Sequence, residues 1–437
     1  MTYSIQAILL LSTAILLSRL ADAQSVDQLP HAQDFPQVAQ PGAENSLPAY
    51  RCLSLPEPHR EQKRDAAKGH GNFLNTLKQK GVVFGADEFL EGYYNFMGGL
   101  RRGSAVVSTF DANISIDMKK FMHVPGGIFY ADFEAHSFQN PTSSLVGDLQ
   151  VFDKNTADPF LQMFEFWYQQ KFLHNMLRLK IGKVDANAEF SLIDNGLDFE
   201  TSSAHVTPTL FVFPTFPDPM PSVNLFFTPC KLFYASVAAY DANQMDHFLD
   251  FSGKPGAVQA TLNGTLWLGE TGLTWNHLSG KASDGNLRLG TWRHTGQFNR
   301  TDDNSPVQGA GGIYVVINQT LWKPIADKNS TRGFRMFLEY ANSNKGVAPI
   351  YEHFGCGLLW TGMTENRPHD EIGICTQYGR VSSRPGLVWN YEQTIEGFYR
   401  FAFASWVNVQ PDFQYIVHPG GKYENALTVT LQLNVKF

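Results

Sequence analysis

The chain ends in the stretch LTVTLQLNVKF, residues 427–437, in which every odd-numbered position is apolar and every even-numbered position is polar. Successive side chains of a β-strand point to opposite faces of the sheet, so this alternation predicts a strand with one apolar and one polar face. The same period recurs upstream, for example at FDANISID (110–117), FYADFEAH (129–136) and LRLKI (177–181). About sixteen such segments lie between residues 81 and 437, an even number typical of single-chain outer-membrane barrels.

The connections between these segments alternate between short and long. Short ones are predicted at 172–175, 228–231 and 405–406, and long ones at 139–159, 185–221, 241–260 and 297–311. Barrels with short periplasmic turns and long external loops show this asymmetry. A soluble sandwich would need two extensive packed cores to bury so many alternating strands, whereas lipid can cover the single apolar face of a closed sheet. We therefore predict an all-β fold, a transmembrane antiparallel β-barrel of about sixteen strands with a short N-terminal helical segment.

The composition excludes several classes of protein. The 437 residues carry 34 Lys and Arg against 41 Asp and Glu, a net charge of −7, so no basic surface for a nucleic acid is expected. The four cysteines have no Cys-x-x-Cys spacing, and no Ser-His-Asp arrangement or phosphate-binding loop stands out. We predict no cofactor, no metal site and no catalytic site, and hence a protein that is not an enzyme.

The N-terminal region differs in character from the rest of the chain. A short apolar stretch, Ile5 to Leu17, is followed by Ala21-Asp22-Ala23, which predicts a signal peptide over 1–23 that is cleaved before Gln24. An ordinary N-terminal helix is the alternative. Residues 24–58 are rich in Pro, Gln and Ala and predict a flexible tether, and 59–80 predict a short helical segment. The barrel domain is expected to occupy 81–437.

Several motifs, in order along the chain, carry a resemblance to a known family. They are GGLRRG (98–103), GKVDANAEF (182–190), WRHTG (292–296), QPDFQYI (410–416) with its following HPGG, and the terminal Phe437. The chain resembles the carbohydrate-selective porins of the OprB family from about Gly81 to its end. The resemblance implies a sixteen-stranded barrel in the bacterial outer membrane that admits small sugars. It also implies insertion by the barrel-assembly machinery, which reads a terminal aromatic residue such as Phe437.

If the apolar face of each strand meets lipid, the polar face lines the pore. Charges of both signs are then expected in the lumen, which favours a neutral sugar over an ion as the solute. Trp167 and Trp292 fall in the polar phase, where a ring could stack on a pyranose. The candidate pore-lining or constriction residues are Asp132, Glu134, Glu165, Trp167, Arg178, Lys180, Lys183, Asp185, Glu189, Arg288, Trp292, Arg335 and Arg400.

The long connection from Asp185 to Pro221 is the expected constriction element. It combines several carboxylates with phenylalanines and prolines, and its carboxylates are expected to pair with arginines of the wall. An external lid is the alternative. The predicted function is passive, carbohydrate-selective diffusion, with sugars, outer-membrane lipid and lipopolysaccharide as partners. A general or ion-preferring porin and a secreted β-rich glycan-binding protein or hydrolase are the other hypotheses.

Overall fold

The computed structural model describes residues 71–242, 264–275, 284–324 and 332–437, so the predicted signal peptide, the tether and Cys52 lie outside the described residues. The strands within these ranges are β1 (Val82–Met97), β2 (Gly103–Asp117), β3 (Gly127–Phe138), β4 (Phe160–Phe172), β5 (Leu177–Val184), β6 (Met220–Phe227), β7 (Phe233–Asp241), β8 (Thr265–Trp275), β9 (Gly285–Asn299), β10 (Pro306–Trp322), β11 (Gly333–Ser343), β12 (Ile350–Thr361), β13 (Glu371–Val381), β14 (Tyr391–Ala404), β15 (Val407–Val417) and β16 (Ala426–Lys436).

The strands form one closed sheet in which each pairs antiparallel with its neighbours in sequence. Closure occurs between β1 and β16, where Glu91 lies opposite Gln432 and Tyr93 opposite Thr430. Closing the sheet pairs the backbone groups that an open edge would leave exposed, which a strand protein needs in order to cross hydrocarbon. The predicted sixteen-stranded antiparallel barrel is confirmed.

The burial pattern of the wall is the reverse of that in a soluble protein. On β16 the polar residues Thr428, Thr430, Gln432 and Asn434 are buried inside the barrel, whereas Leu431 is 55% exposed on the outside. Large apolar side chains are exposed in the same phase on the other strands, as on β13, where Ile372 and Ile374 point outward. An apolar outer face and a polar interior suit a wall that is solvated by lipid.

The connections differ in length between the two ends of the barrel. Residues 173–176, 228–232 and 405–406 make short turns, whereas 139–159 and 185–219 are long. One prediction is wrong here: the connection placed at 297–311 comprises residues 300–305. Strands β9 and β10 continue pairing as far as Asn299 and Pro306, which absorbs the remaining residues into the wall.

A bulge corrects one expected side-chain direction. The sequence alternation groups Phe164 with the outward-facing Phe166 and Tyr168. In the structure Asp132 pairs with Glu165 and the next residue of β3 pairs with Met163, so Phe164 has no partner in the register. The extra residue in β4 turns Phe164 inward, where its ring lies 6.1 Å from that of Phe216.

Helices are few among the described residues. Helix α1 (Gly71–Gln79) precedes β1 and lies within the predicted 59–80 segment. Helix α2 (Met118–Met122) joins β2 to β3, and the Asp117 side chain accepts hydrogen bonds from its first backbone N–H groups. None of the described helices is long and apolar enough to span a membrane. Cys230, Cys356 and Cys375 are free thiols.

Candidate pore constriction

Residues 185–219, which connect β5 to β6 and are called the inward loop below, cross the interior of the barrel. Their hydrogen bonds reach strands far from β5: Ser191 N–H donates to Glu270 on β8 (2.9 Å), and Asn195 N–H donates to Asn318 on β10 (2.9 Å). Further along, Gln410 of β15 donates to the Asp198 carbonyl oxygen (2.9 Å). A connection that contacts β8, β10 and β15 lies inside the closed wall and is not an external lid.

Wall carboxylates hold the loop by accepting its backbone N–H groups. Glu396 of β14 accepts from Glu200 N–H at 2.5 Å and from Thr201 N–H at 2.8 Å. A carboxylate that binds two adjacent N–H groups satisfies backbone donors that would otherwise be buried without partners. Between the anchors at Asn195 and Glu200 the loop folds sharply at Gly196, where a Cβ would overlap the carbonyl oxygen of Ala204.

Residues 139–159, which connect β3 to β4 and are called the companion loop below, also enter the barrel. Leu149 and Gln150 donate their N–H groups to the Glu392 carboxylate of β14, at 2.9 and 2.8 Å. The companion loop pairs with the inward loop, since Lys154 N–H donates to the carbonyl oxygen of Glu200 (2.7 Å). The two loops therefore form one layer that is fastened to the wall.

The first ion-pair cluster fastens the start of the inward loop to β5. Glu189 accepts from Arg178 Nη2 at 2.8 Å and also pairs with Lys180, and all three side chains are nearly inaccessible to water. Burial alone would raise the pKa of Glu189, but the positive charges of Arg178 and Lys180 outweigh that cost and lower its pKa to about 2. These predicted pore residues are brought together as a structural clamp.

A second set of ion pairs lies further along the inward loop and is open to water. Asp194 pairs with Arg288 of β9, and Asp198 pairs with Arg400 of β14. The side chains of Asp194 and Asp198 are 35% and 29% exposed, and that of Arg400 is 24% exposed. Burial would raise the pKa of Asp198, but Arg400 holds it below the usual range. Asp198 therefore keeps its negative charge.

Arg400 and Arg335 share one carboxylate on the wall. Glu371 of β13 lies 3.3 Å from Arg400 Nη2 and also pairs with Arg335 of β11, whose side chain is 26% exposed. This partly exposed part of the lumen therefore contains carboxylates of the inward loop and guanidinium groups of the wall. We call Asp194, Asp198, Arg335 and Arg400 the constriction set.

Other predicted pore residues lie in the wall behind the start of the inward loop. Asp132, Glu134 and Lys183 are buried, and Lys183 Nζ donates to Gln162 Oε1 and to the carbonyl oxygen of Met163, each at 2.9 Å. Glu165 is half-buried and accepts the backbone N–H of Asp185 at 2.9 Å. Glu165 therefore supports the start of the loop directly, while Asp132, Glu134 and Lys183 lie on the neighbouring strands β3 and β5.

The two tryptophans face inward but are covered. Trp167 is 3% exposed, stacks on Tyr130 with ring centroids 4.9 Å apart, and has Lys180 Nζ 3.9 Å from its ring centre. Trp292 is also 3% exposed and packs edge-on against Phe211 of the inward loop at 5.9 Å. Neither ring therefore presents a free face to a solute in this structure, which corrects the sugar-stacking expectation.

Sequence reasoning missed two anchors of the loops. Glu270 and Glu392 each occupy an inward position of a strand, and the period of two gives that direction. The same pattern does not give their partners, because those lie in loops that have no period. An acidic residue in the polar phase of a strand is therefore a signal for the lumen, while the loop contact follows only from the fold.

Comparison of the sequence with known protein families identifies the family of this chain. The sequence profile of the carbohydrate-selective porin, OprB family, matches residues 101–437, which is most of the chain. The chain belongs to the OprB family. Within curated proteins, this OprB-family chain is 19% identical to Porin B of Pseudomonas aeruginosa over 421 residues, covering 84% of this chain and 90% of that protein. It is 27% identical to Porin AaxA of Chlamydia trachomatis serovar L2 over 106 residues, which is 24% of this chain and 23% of that porin's length.

Solved structures support the fold of this OprB-family member. The high-pH structure of Pseudomonas putida OprB matches with a TM-score of 0.73 at 19% identity, covering 84% of this chain and 97% of that one. The low-pH structure of the same protein matches with a TM-score of 0.55 at 17% identity, covering 85% of this chain and 97% of that one. The family and the closed barrel indicate an outer-membrane channel.

Proposed function

We propose that this chain mediates passive, carbohydrate-selective diffusion of small sugars across the outer membrane into the periplasm. Its family supports the sugar as solute, and its apolar outer wall supports the location. The observation that carries the proposal is the constriction set, in which Asp198 of the inward loop pairs with Arg400 of the wall and lies near Arg335, while the carboxylate of Asp194 is partly open to water. A neutral sugar has hydroxyl groups that donate to carboxylates and accept from guanidinium groups, so it fits a lining of both signs.

Transport requires that these contacts stay weak. A solute that bound tightly at one site would block the pore, so each contact must form and break quickly. The partial exposure of the constriction set suits this requirement, because water competes for the same hydrogen bonds. In this proposal Arg178, Lys180, Glu189 and Arg288 fix the inward loop and do not contact the solute, and no residue has a catalytic role.

The remaining proposals concern assembly. The chain is exported by a signal peptide over 1–23, and residues 24–58 form a tether ahead of the barrel domain. Phe437 serves as the terminal aromatic residue that the barrel-assembly machinery reads. Its N–H donates to the carbonyl oxygen of Ala86 on β1 (2.8 Å), so it lies at the seam where the barrel closes. Lipopolysaccharide surrounds the external rim.

Liposome swelling tests the function. Mature protein, refolded and reconstituted, is compared in glucose, a disaccharide and an amino acid of similar size to glucose, with protein-free liposomes as the baseline. We expect glucose to enter several-fold faster than the amino acid, with low ionic conductance in planar bilayers. Entry rates that follow size alone would assign a general porin, and an absence of permeation in verified inserted protein would refute the channel.

A further inference from the structure

Three buried carboxylates from three different segments of the chain lie close together. They are Glu91 of β1, Asp153 of the companion loop and Glu200 of the inward loop, and one oxygen of each lies within 4.8 Å of the other two. All three residues are fully buried. None belongs to the constriction set, so the cluster is independent of the proposed transport function.

The cluster carries more negative than positive charge. Lys154 Nζ lies 3.8 Å from Glu200 Oε1 and donates to the carbonyl oxygen of Phe199 at 3.1 Å. Its charge offsets one of the three carboxylates. Burying carboxylates without compensating charge is unfavourable, so the fold needs further positive charge or protons at this point.

The hydrogen bonds around the cluster leave one carboxylate oxygen without a partner, although Gln432 and Asn155 donate to Glu91 Oε1 and Thr156 donates to Asp153 Oδ2. The Tyr93 hydroxyl lies 2.6 Å from Glu91 Oε2 and 2.7 Å from Asp153 Oδ2, yet its single proton can serve one of these acceptors at a time. Glu200 Oε2 is buried and has no hydrogen-bond partner among the described residues.

We propose that Glu91, Asp153 and Glu200 bind a calcium ion that fastens both loops to β1. Oxygen ligands lie roughly 2.3–2.6 Å from Ca²⁺, so two ligands on opposite sides of the ion are about 4.6–5.2 Å apart. The three carboxylate oxygens lie within 4.8 Å of one another, so all three can contact one ion of this size. Ca²⁺ tolerates irregular sets of carboxylates from separate segments, whereas Mg²⁺ demands a near-ideal octahedron with shorter bonds. The ion would supply the charge that Lys154 does not.

Calcium binding to refolded protein tests this site. The mature chain is refolded in detergent from solubilised inclusion bodies, which keeps it free of lipopolysaccharide, and is stripped with EDTA. Radioactive Ca²⁺ is then measured by equilibrium dialysis for wild type, Glu200→Gln and Asp302→Asn, the last removing an exposed carboxylate in the 300–305 connection. Wild type and Asp302→Asn are expected to retain one Ca²⁺ per chain that Glu200→Gln lacks.

Thermal unfolding provides a second measurement on the same samples. Ca²⁺ is expected to raise the unfolding temperature midpoint of wild type and Asp302→Asn, because an ion that binds only the folded state stabilises that state. The midpoint of Glu200→Gln, which lacks the site, should not change. Binding is expected to be tighter at pH 8 than at pH 6, since the carboxylates must be deprotonated.

Three results would overturn the assignment. Equal Ca²⁺ retention by wild type and Glu200→Gln would place the ion elsewhere. No retention by folded wild type would mean that protons neutralise the cluster, and this result needs no variant. Stabilisation by Mg²⁺ without stabilisation by Ca²⁺ would contradict the choice of ion. If Glu200→Gln fails to fold, Asp153→Asn replaces it in the same comparison.

Discussion

Arg288 on β9 and Asp194 on the inward loop form an ion pair in which Nη2 of the arginine lies 2.8 Å from Oδ2 of the aspartate. The same oxygen accepts from Asn286 Nδ2 at 2.7 Å and from Asn318 Nδ2 at 3.3 Å. Arg288 is buried, whereas the Asp194 side chain is 35% exposed. The wall therefore holds the loop from behind and leaves the front of the carboxylate to water.

Replacing Arg288 with Met tests whether this pair sets the aperture. Loss of a charged hydrogen bond costs about 1.5–3 kcal/mol, less where water screens the partner, so the loop should loosen while the barrel still folds. We expect higher and noisier single-channel conductance and a smaller preference for glucose over an amino acid of similar size. Arg300→Met, which removes a pair in the 300–305 connection, serves as the control. Identical conductance in Arg288→Met and wild type would contradict the aperture role.

Arg335 and Arg400 are expected to set the ion preference of the pore. Replacing both with Gln leaves Asp198 and Glu371 without their positive partners. The reversal potential in a salt gradient should therefore shift toward cation selectivity, with permeability ratios changing several-fold. Arg367→Gln is a matched control, because Arg367 pairs with Asp370 in the turn at 362–370. If the reversal potential shifts no further in the double variant than in this control, these arginines do not set the ion preference.

The sequence predicted the wall far better than the lumen. Alternation gives each strand and the direction of each side chain, which is why the inward positions of Glu165, Arg178 and Arg400 follow from it. A single bulge in β4 was enough to reverse Phe164, because one inserted residue changes the phase. Neither the covering of Trp292 by Phe211 nor the closeness of Glu91 to Glu200 could be predicted, since each depends on the positions of loops that have no period.

The Glu189 clamp is expected to make the stability of the inward loop depend on acidity. Its pKa falls from 4.5 to about 2 on folding, so the folded state binds fewer protons than the unfolded state between these values. The stabilisation is therefore present above pH 4.5 and lost as pH falls toward 2. The thermal midpoint of Glu189→Gln should be lower than that of wild type at pH 6, and the two should converge near pH 2. A constant difference across this range would contradict the linkage.

The outward face of β16 tests whether lipid solvates the wall. Leu431 lies at the middle of the strand and is 55% exposed, so Leu431→Arg should place a charge near the centre of the bilayer. The expected cost is about 2–4 kcal/mol in the free energy of folding into lipid, whereas an arginine introduced at a position that faces water should change it little. Val388→Arg is the matched control, since Val388 is 65% exposed in the connection at 382–390. Urea titrations of folding into lipid vesicles measure both variants. Equal stabilities for the two would mean that Leu431 faces water, which an outer-membrane barrel does not allow.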